Sequence, residues 1–255
     1  MKQHLAQHYD NQFYNAQVQG SLQSGRVVLE SLFRLYRPKS IVDIGCGRGA
    51  WLAAAHSLGV QHLKGMDGPW VQPAELLSDA IDFTPVNFEA TVTFSERYDL
   101  CISVEVAEHL SENRAQAFVQ LLCAASDVVL FSAAIPYQLG EHHINEQRHS
   151  YWIQHFAVQG YDCYDVLRPH VWNDRRIEWW YRQNVLLFIK KDATLPDKDT
   201  LRAAQLPITD LVHPDNYEAR MAYYTGITAE PTLRFCLAMF KRFLRNLLRG
   251  KFKYA

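Results

Sequence analysis

The stretch that decides the fold is Ile41 to Gly49, with the sequence IVDIGCGRG. A short apolar run carries one acidic residue, Asp43, and is followed by glycines at positions 45, 47 and 49. Glycine permits a tight turn and lets a ligand approach main-chain amides that a Cβ would block, and the next helix points its positive end at the same place. We therefore predict a strand, a ligand-binding turn and a helix here.

The spacing of these glycines indicates which ligand binds. A dinucleotide site spaces its glycines G-x-G-x-x-G, whereas these alternate, and the carboxylate of Asp43 would repel a pyrophosphate. Asp43 suits a ligand that carries an ammonium group at its near end. Asp67 closes the next expected strand, 22 residues after Gly45, where a carboxylate receives the two ribose hydroxyls of an adenosine. Together the two signals predict adenosine binding.

Short β-rich runs alternate with helical stretches on both sides of this turn, which predicts an α/β fold with a largely parallel sheet covered on both faces. The expected strands are 40–44, 62–66, 81–86, 98–104, 127–133, 161–167 and 183–190. The expected helices are 50–58, 114–124 and 150–158, and Ser111 is expected to cap the second of them.

The last two expected strands are joined by WNDRRIEWWYR, residues 172–182, rather than by a helix. This predicts an antiparallel hairpin at the edge of one seven-stranded sheet. We expect an N-terminal helical lid over residues 1–36, the sheet domain over 37–191 and a helical appendage over 192–255.

The composition excludes several classes of protein. With 255 residues, 48% of them hydrophobic, the chain can bury a large core and is not disordered. Its net charge of −1 argues against binding nucleic acid through bulk charge. Five cysteines without a C-x-x-C pair fit neither a disulfide framework nor a zinc site, and no signal peptide or membrane span is evident. We expect a soluble cytoplasmic protein.

The C-terminal segment differs in charge from the rest of the chain. Residues 231–255 hold seven Lys or Arg and no Asp or Glu, and the segment predicts an amphipathic helix. Its apolar stripe comprises Leu233, Leu237, Phe240, Leu244 and Leu247. One interpretation is a helix docked on the domain or on a second subunit. The other is peripheral attachment to an anionic membrane, which would suit an enzyme acting on a lipid-linked glycan.

Several phrases between residues 14 and 190 resemble the class I, Rossmann-like methyltransferases that use S-adenosylmethionine, in particular a bacterial subgroup with undefined substrates. The phrases are IVDIGCGRG, GMDG, YDLCISVEVAEHL, LFSAAIP, HINEQRHSYW and IEWWYRQNVLLFI. The resemblance implies a doubly wound sheet with an antiparallel seventh strand, S-adenosylmethionine as the cofactor, and methyl transfer as the reaction.

The resemblance also implies how the cofactor is held. Asp43 and the glycine turn take the methionine portion, Asp67 takes the ribose, and Glu105 lines the pocket near the reacting end. The end of the third strand faces the adenine; the family often has an acidic residue there, whereas this chain has Asn87, whose carbonyl also accepts a hydrogen bond. The implied cofactor residues are Asp43, Gly45, Cys46, Gly47, Asp67, Gly68, Asn87, Phe88 and Glu105.

Methyl transfer from a sulfonium needs an acceptor atom held close to the methyl carbon, and it needs a base only when the acceptor is a hydroxyl. The candidates for catalysis follow the fourth and fifth strands: Glu108, His109 and His143. Glu108 and His109 also fit an ordinary helix start. Candidate substrate contacts, for which ordinary packing is the alternative, are Tyr14, His142, Asn145 and Trp180.

Four side chains of the expected site could instead bind a metal ion. Glu105, Glu108, His109 and His143 resemble the site of small-RNA 3′-terminal 2′-O-methyltransferases, which suits Mg²⁺ or Mn²⁺. The same motif also occurs in metal-free relatives, and outside its tail the chain is acidic, which argues against RNA.

Three functions remain open from the sequence. The first is O-methylation of a sugar, a glycan or another small hydroxylated metabolite. The second is metal-assisted methylation of RNA 3′ ends, and the third is a non-catalytic scaffold subunit that binds the cofactor.

Overall fold

The computed structural model describes residues 18–194, 210–229 and 231–248. The described residues as far as His213 form one compact unit, and those from Pro214 onward form a second. Residues 1–17, and with them Tyr14, lie outside the described residues, as do Arg249 and the residues after it. The domain boundaries and the lid role of the N-terminus stay predictions.

The first unit is built on one seven-stranded sheet with the order β3-β2-β1-β4-β5-β7-β6. The strands are β1 Ser40–Ile44, β2 His62–Asp67, β3 Ile81–Pro85, β4 Leu100–Val104, β5 Val128–Ser132, β6 Tyr161–Tyr164 and β7 Leu186–Lys190. β1 to β5 pair in parallel, while β7 runs antiparallel to both β5 and β6. The predicted Rossmann-like sheet with an antiparallel last strand is confirmed, with β6 at its edge.

The helices of this unit cover both faces of the sheet. They are α1 over residues 18–32, α2 Ala50–Ser57, α3 Ala115–Ala125, α4 His149–Val158, α5 Arg168–Val171 and α6 Trp179–Asn184. One buried cluster joins α1 and α2 to the sheet through Val28, Leu52 and Leu187. A second, on the other face, joins α3 and α4 through Phe118, Phe156 and Phe188. The central strands β4 and β5 are buried along their whole length and are almost entirely apolar.

Two sequence expectations about this unit are wrong. The sequence predicted no helix between β6 and β7, yet this connection contains α5 and α6. The strand β7 begins at Leu186, because the residues before it form α6, which places Tyr181 against Trp51 with ring centroids 5.2 Å apart. Ser111 does not cap α3: it precedes a 3₁₀ turn, and its hydroxyl donates to Glu89 Oε2 at 2.7 Å.

The described residues of the second unit form two helices, α7 Pro214–Ala229 and α8 Leu233–Leu248. Among the described residues, no helix combines the length and the apolar character needed to cross a bilayer.

Candidate active site

The glycine turn after β1 has the left-handed backbone that its sequence predicts. Gly45, Gly47 and Gly49 have φ angles of 90°, 52° and 75°. A Cβ on Gly45 would lie 2.3 Å from Cγ2 of Val106, so only glycine fits there. A Cβ on Gly47 would meet nothing within 4 Å, so the space beside its main chain is open to a ligand.

Asp67, at the end of β2, is bound to this turn. Its Oδ2 accepts a hydrogen bond from the Gly47 amide at 2.6 Å, and its Oδ1 accepts one from the Gly68 amide at 2.6 Å. Burial raises the pKa of Asp67, and these two hydrogen bonds oppose the rise. The Trp70 side chain also donates to this carboxylate, which leaves an acceptor position for a ligand hydroxyl. The structure therefore brings the two sequence signals for adenosine together.

Asp43 lies in β1 below the turn and is only 1% exposed. Its Oδ1 has no hydrogen-bond partner. Burial, and then the charge of Asp67, raise the pKa of Asp43 well above its usual range. A buried carboxylate oxygen without a partner is unfavourable, so this position suits a ligand that brings a positive charge.

We expect Asp43→Asn to stabilise the ligand-free protein, and more so at pH 8 than at pH 5. Because the pKa of Asp43 is raised, the folded state binds this proton more tightly than the unfolded state does. The free energy of unfolding of the wild-type protein therefore falls as the pH rises towards the folded-state pKa. Asparagine removes that loss, and Tm should rise by about 2–4 °C for each kcal/mol gained. Thermal unfolding at both pH values measures the effect. Asp79→Asn, on the surface, is the control; an equal destabilisation of Asp43→Asn at both pH values would contradict the interpretation.

Glu105 follows β4 and is held by three neutral donors. Its carboxylate accepts hydrogen bonds from Ser132 Oγ at 2.8 Å, Gln138 Nε2 at 2.8 Å and Asn184 Nδ2 at 3.0 Å. The donors come from β5, from the loop after it and from α6. Burial raises the pKa of Glu105, and the three hydrogen bonds oppose that rise. The network fixes the carboxylate at one position.

A cluster of Glu108, His109 and His143 lies beside the Glu105 network. One ligand atom from each side chain lies within 4.8 Å of the other two. The two imidazole rings are 4.9 Å apart at 85°. Glu108 is fully buried, neither of its carboxyl oxygens has a hydrogen-bond partner, and one of them lies 4.0 Å from His143 Nε2. Burial, followed by the charge of Glu105, raises the pKa of Glu108 well above its usual range.

The loop after β5 orients His143. The amides of Ile144 and Asn145 donate to the main-chain oxygen of Glu108 at 2.9 and 3.0 Å, which joins the two loops of the site. Glu146 lies 3.0 Å from His143 Nδ1 and also accepts from the Tyr137 amide at 2.8 Å. A carboxylate at Nδ1 places the proton there, so Nε2 of a neutral His143 is an acceptor beside Glu108.

Backbone strain is concentrated on the same two loops. Among the described residues, the non-glycine positions with positive φ are Glu105, Tyr137, Leu139 and His142, at 54°, 70°, 57° and 59°. Such conformations persist only where the surrounding structure enforces them, and they cluster at functional sites. The hydrogen bonds to Glu105 and to the Tyr137 amide supply that enforcement here.

The predicted cofactor residues are not all turned towards the open space. The side chain of Cys46 is buried, with Sγ 3.4 Å from the Gly47 oxygen. Asn87 is exposed, and its Oδ1 accepts from the Glu89 amide at 3.0 Å. Phe88 packs into the core, edge-on to Phe118 at 5.8 Å.

The predicted substrate residues are spread more widely. The side chain of His142 is 88% exposed. Asn145 is buried, its Oδ1 accepts from Gln147 Nε2 at 3.0 Å, and its Nδ2 has no partner. Trp180 packs against Trp179 and Tyr181 and is half-buried on the α2 side of the sheet. The main-chain amide of Asn145 thus contacts Glu108 of the histidine cluster, whereas the Trp180 side chain packs beside Trp179 and Tyr181.

Sequence reasoning missed the residues that fix Glu105, namely Ser132, Gln138 and Asn184. Asn184 is 79 residues away from Glu105, so no local spacing connects the two. Only the placement of β7 beside β5, with α6 leading into it, brings Asn184 to the site. Glu146 was visible as part of the phrase HINE.

Comparisons with known proteins agree with this architecture. No known protein-family model matches the chain. A stretch of 92 residues is 33% identical to a ubiquinone biosynthesis O-methyltransferase of Methylobacterium sp. (strain 4-46), and it spans 34% of this chain and 36% of that protein.

Solved structures give the fold over a longer stretch. An O-methyltransferase family protein from Burkholderia thailandensis superposes with a TM-score of 0.55 at 15% identity, covering 70% of this chain and 58% of that one. The plantazolicin methyltransferase BpumL, solved in complex with SAH, superposes with a TM-score of 0.51 at 15% identity, covering 74% and 90%. The chain has the Rossmann-like fold of class I methyltransferases, as the resemblance predicted.

Proposed function

We propose that this chain is an S-adenosylmethionine-dependent methyltransferase that methylates a hydroxyl group of a sugar, a glycan or another small hydroxylated metabolite. The observation that carries the proposal is the buried Asp43, whose Oδ1 has no partner, beside the open glycine turn. Asp67 ends the neighbouring strand β2, and the histidine cluster follows β4 and β5 on the other side of β1. The local identity to an O-methyltransferase supports the same reaction.

The residues present fit the cofactor. The free oxygen of Asp43 would accept from the methionine ammonium, the bare main chain at Gly47 would let the ligand approach, and the remaining lone pairs of Asp67 would accept from the ribose hydroxyls. Asn87 would accept from the adenine amine at the end of β3, with Phe88 packed behind it. When bound, the cofactor supplies a methyl group on a positively charged sulfur.

The histidine cluster would serve the acceptor. Nε2 of His143 would take the proton of the acceptor hydroxyl as the methyl group passes from sulfur to oxygen, and Glu146 at Nδ1 would stabilise the imidazolium that forms. His109 offers a second imidazole, and burial followed by the charge of His143 lowers the pKa of His109, which favours its neutral form. His142 and Asn145 flank the base on the same loop and would border the acceptor.

A binding titration followed by a turnover screen tests the proposal. We expect binding of S-adenosylmethionine and S-adenosylhomocysteine in calorimetry, and transfer of a labelled methyl group to at least one sugar, glycan or small hydroxylated acceptor. Nucleosides and RNA ends are screened in parallel. Tight binding of NAD without any response to S-adenosylhomocysteine would overturn the proposal. Binding of the cofactor without turnover of any acceptor would instead support a non-catalytic scaffold subunit.

The geometry of the cluster also favours an alternative to His143 as the base: a divalent metal ion that this imidazole would bind instead of accepting the proton. Glu108, His109 and His143 supply one carboxylate and two imidazoles, a set that suits Mn²⁺ or a similar ion, and neither carboxyl oxygen of Glu108 accepts a hydrogen bond of ordinary geometry. Glu146 would orient His143, as carboxylates do behind metal-bound histidines. Such an ion would hold vicinal hydroxyls of an acceptor, as the RNA-end alternative also requires.

We expect EDTA to abolish turnover and Mg²⁺ or Mn²⁺ to restore it if this ion binds. Independently of activity, Mn²⁺ should raise Tm of the wild-type protein, because a ligand that binds only the folded state stabilises it. Glu108→Gln should lose that shift, whereas Glu112→Gln, an exposed residue nearby, should keep it. Full activity after EDTA together with an unchanged Tm would exclude the metal and leave the methyltransferase proposal intact.

A further inference from the structure

The helix α8, Leu233–Leu248, carries its charged side chains and its apolar side chains on different faces. On a wheel of about 100° per residue, Leu233, Leu237, Phe240 and Leu244 form one stripe. The cations lie together on another side, at Arg234, Lys241, Arg242 and Arg245. This division is typical of helices that lie in a membrane surface.

The apolar stripe is exposed. Leu233 is 76% exposed, Leu237 is 52% exposed and Phe240 is 59% exposed. Single apolar side chains on a surface are ordinary, but a contiguous stripe of large ones along one helix marks an interaction surface. The neighbouring helix α7 has no comparable stripe, since its sequence PDNYEARMAYYTGITA spreads polar and apolar residues around the axis.

Charge complementarity selects the partner. Residues 231–255 contain seven Lys or Arg and no acidic residue. Two copies of α8 joined by their stripes would bury the apolar side chains but would leave the cations without an acidic residue of the helix to pair with them. A surface of anionic lipids supplies the opposite charge along the whole helix and an apolar layer for the stripe.

We propose that α8 binds the surface of anionic membranes, with the stripe inserted among the acyl chains and the cations beside the headgroups. The helix lies in the plane of the surface, since its 16 residues extend only about 24 Å and four of them are charged. This proposal does not depend on the reaction that the first unit catalyses.

Co-sedimentation of the full chain with vesicles tests the proposal. We expect binding to phosphatidylcholine vesicles that contain phosphatidylglycerol, weakening as salt increases, and little binding to pure phosphatidylcholine. Replacing Lys241, Arg242 and Arg245 together by Gln should lower the partition coefficient about 100-fold. Replacing Leu237, Phe240 and Leu244 together by Ser should abolish binding through loss of the inserted surface.

The matched control removes three exposed cations from the first unit, Arg26, Arg175 and Lys191, by replacement with Gln. This variant should sediment like the wild type. Circular dichroism and thermal unfolding of each variant confirm that the first unit is folded. Failure of the wild type to bind the anionic vesicles, or undiminished binding by both α8 variants, would overturn the proposal. Loss of a dimer on deletion of residues 231–255, without vesicle binding by the full chain, would assign the stripe to subunit assembly.

Discussion

His143→Ala is expected to lower kcat by about 100- to 10,000-fold and to leave the Kd of S-adenosylmethionine within about twofold of its wild-type value. The imidazole lies on the acceptor side, in the loop after β5, while the cofactor contacts we propose come from the ends of β1, β2 and β3. Single-turnover kinetics with a hydroxyl acceptor, combined with calorimetry of cofactor binding, separate the two quantities.

Two variants identify the role of the imidazole. Glu146→Gln keeps a hydrogen-bond acceptor at Nδ1 of His143 but removes the charge that stabilises the imidazolium, so kcat should fall while the Kd of S-adenosylmethionine stays at its wild-type value. His155→Ala, on α4 beside Tyr151, is the matched control and should have a wild-type kcat.

His109→Ala belongs in the same series, because its ring contacts that of His143. A smaller loss than that of His143→Ala would identify His143 as the base, and the reverse order would identify His109. Wild-type turnover of the true acceptor in both variants would show that neither histidine acts as a base or a ligand.

The cofactor half of the site could be predicted from the sequence because it depends on local rules. A glycine turn after β1 and an acid at the end of β2 must meet, since adjacent parallel strands end at the same edge of the sheet. The contact between Asp67 and the Gly47 amide follows from that arrangement. The alternation of strands and helices predicted the fold for the same reason.

The contacts that hold the acceptor side of the site, around Glu105 and His143, could not be predicted in this way. The stretch 177–184 is rich in aromatic residues, which favour strands, yet it ends in a helical turn because Tyr181 and Asn184 both gain buried partners. Ser111 is a typical helix cap, but Glu89, distant in sequence, competes for its hydroxyl. Tertiary contacts outweigh local preference at both places.

Asp67→Ala is expected to weaken binding of S-adenosylhomocysteine by about 10- to 100-fold, equivalent to about 1–3 kcal/mol. The substitution removes the proposed acceptor for the ribose hydroxyls and also leaves the Gly47 and Gly68 amides without their partner. Asp67→Asn keeps one acceptor oxygen and should lose less. Asp79→Ala, on the surface, is the control.

A ligand without the methionine carboxylate and ammonium separates the two acids of the site. Methylthioadenosine carries the ribose but no charged end, so Asp67→Ala should weaken its binding as strongly as that of S-adenosylhomocysteine. Asp43→Asn should weaken only S-adenosylhomocysteine, because the unpaired Oδ1 of Asp43 has an ammonium to accept from in that ligand alone. If Asp67→Ala bound methylthioadenosine with wild-type affinity, Asp67 would not hold the ribose. If Asp43→Asn weakened both ligands equally, Asp43 would act by shaping the glycine turn rather than by binding a cation.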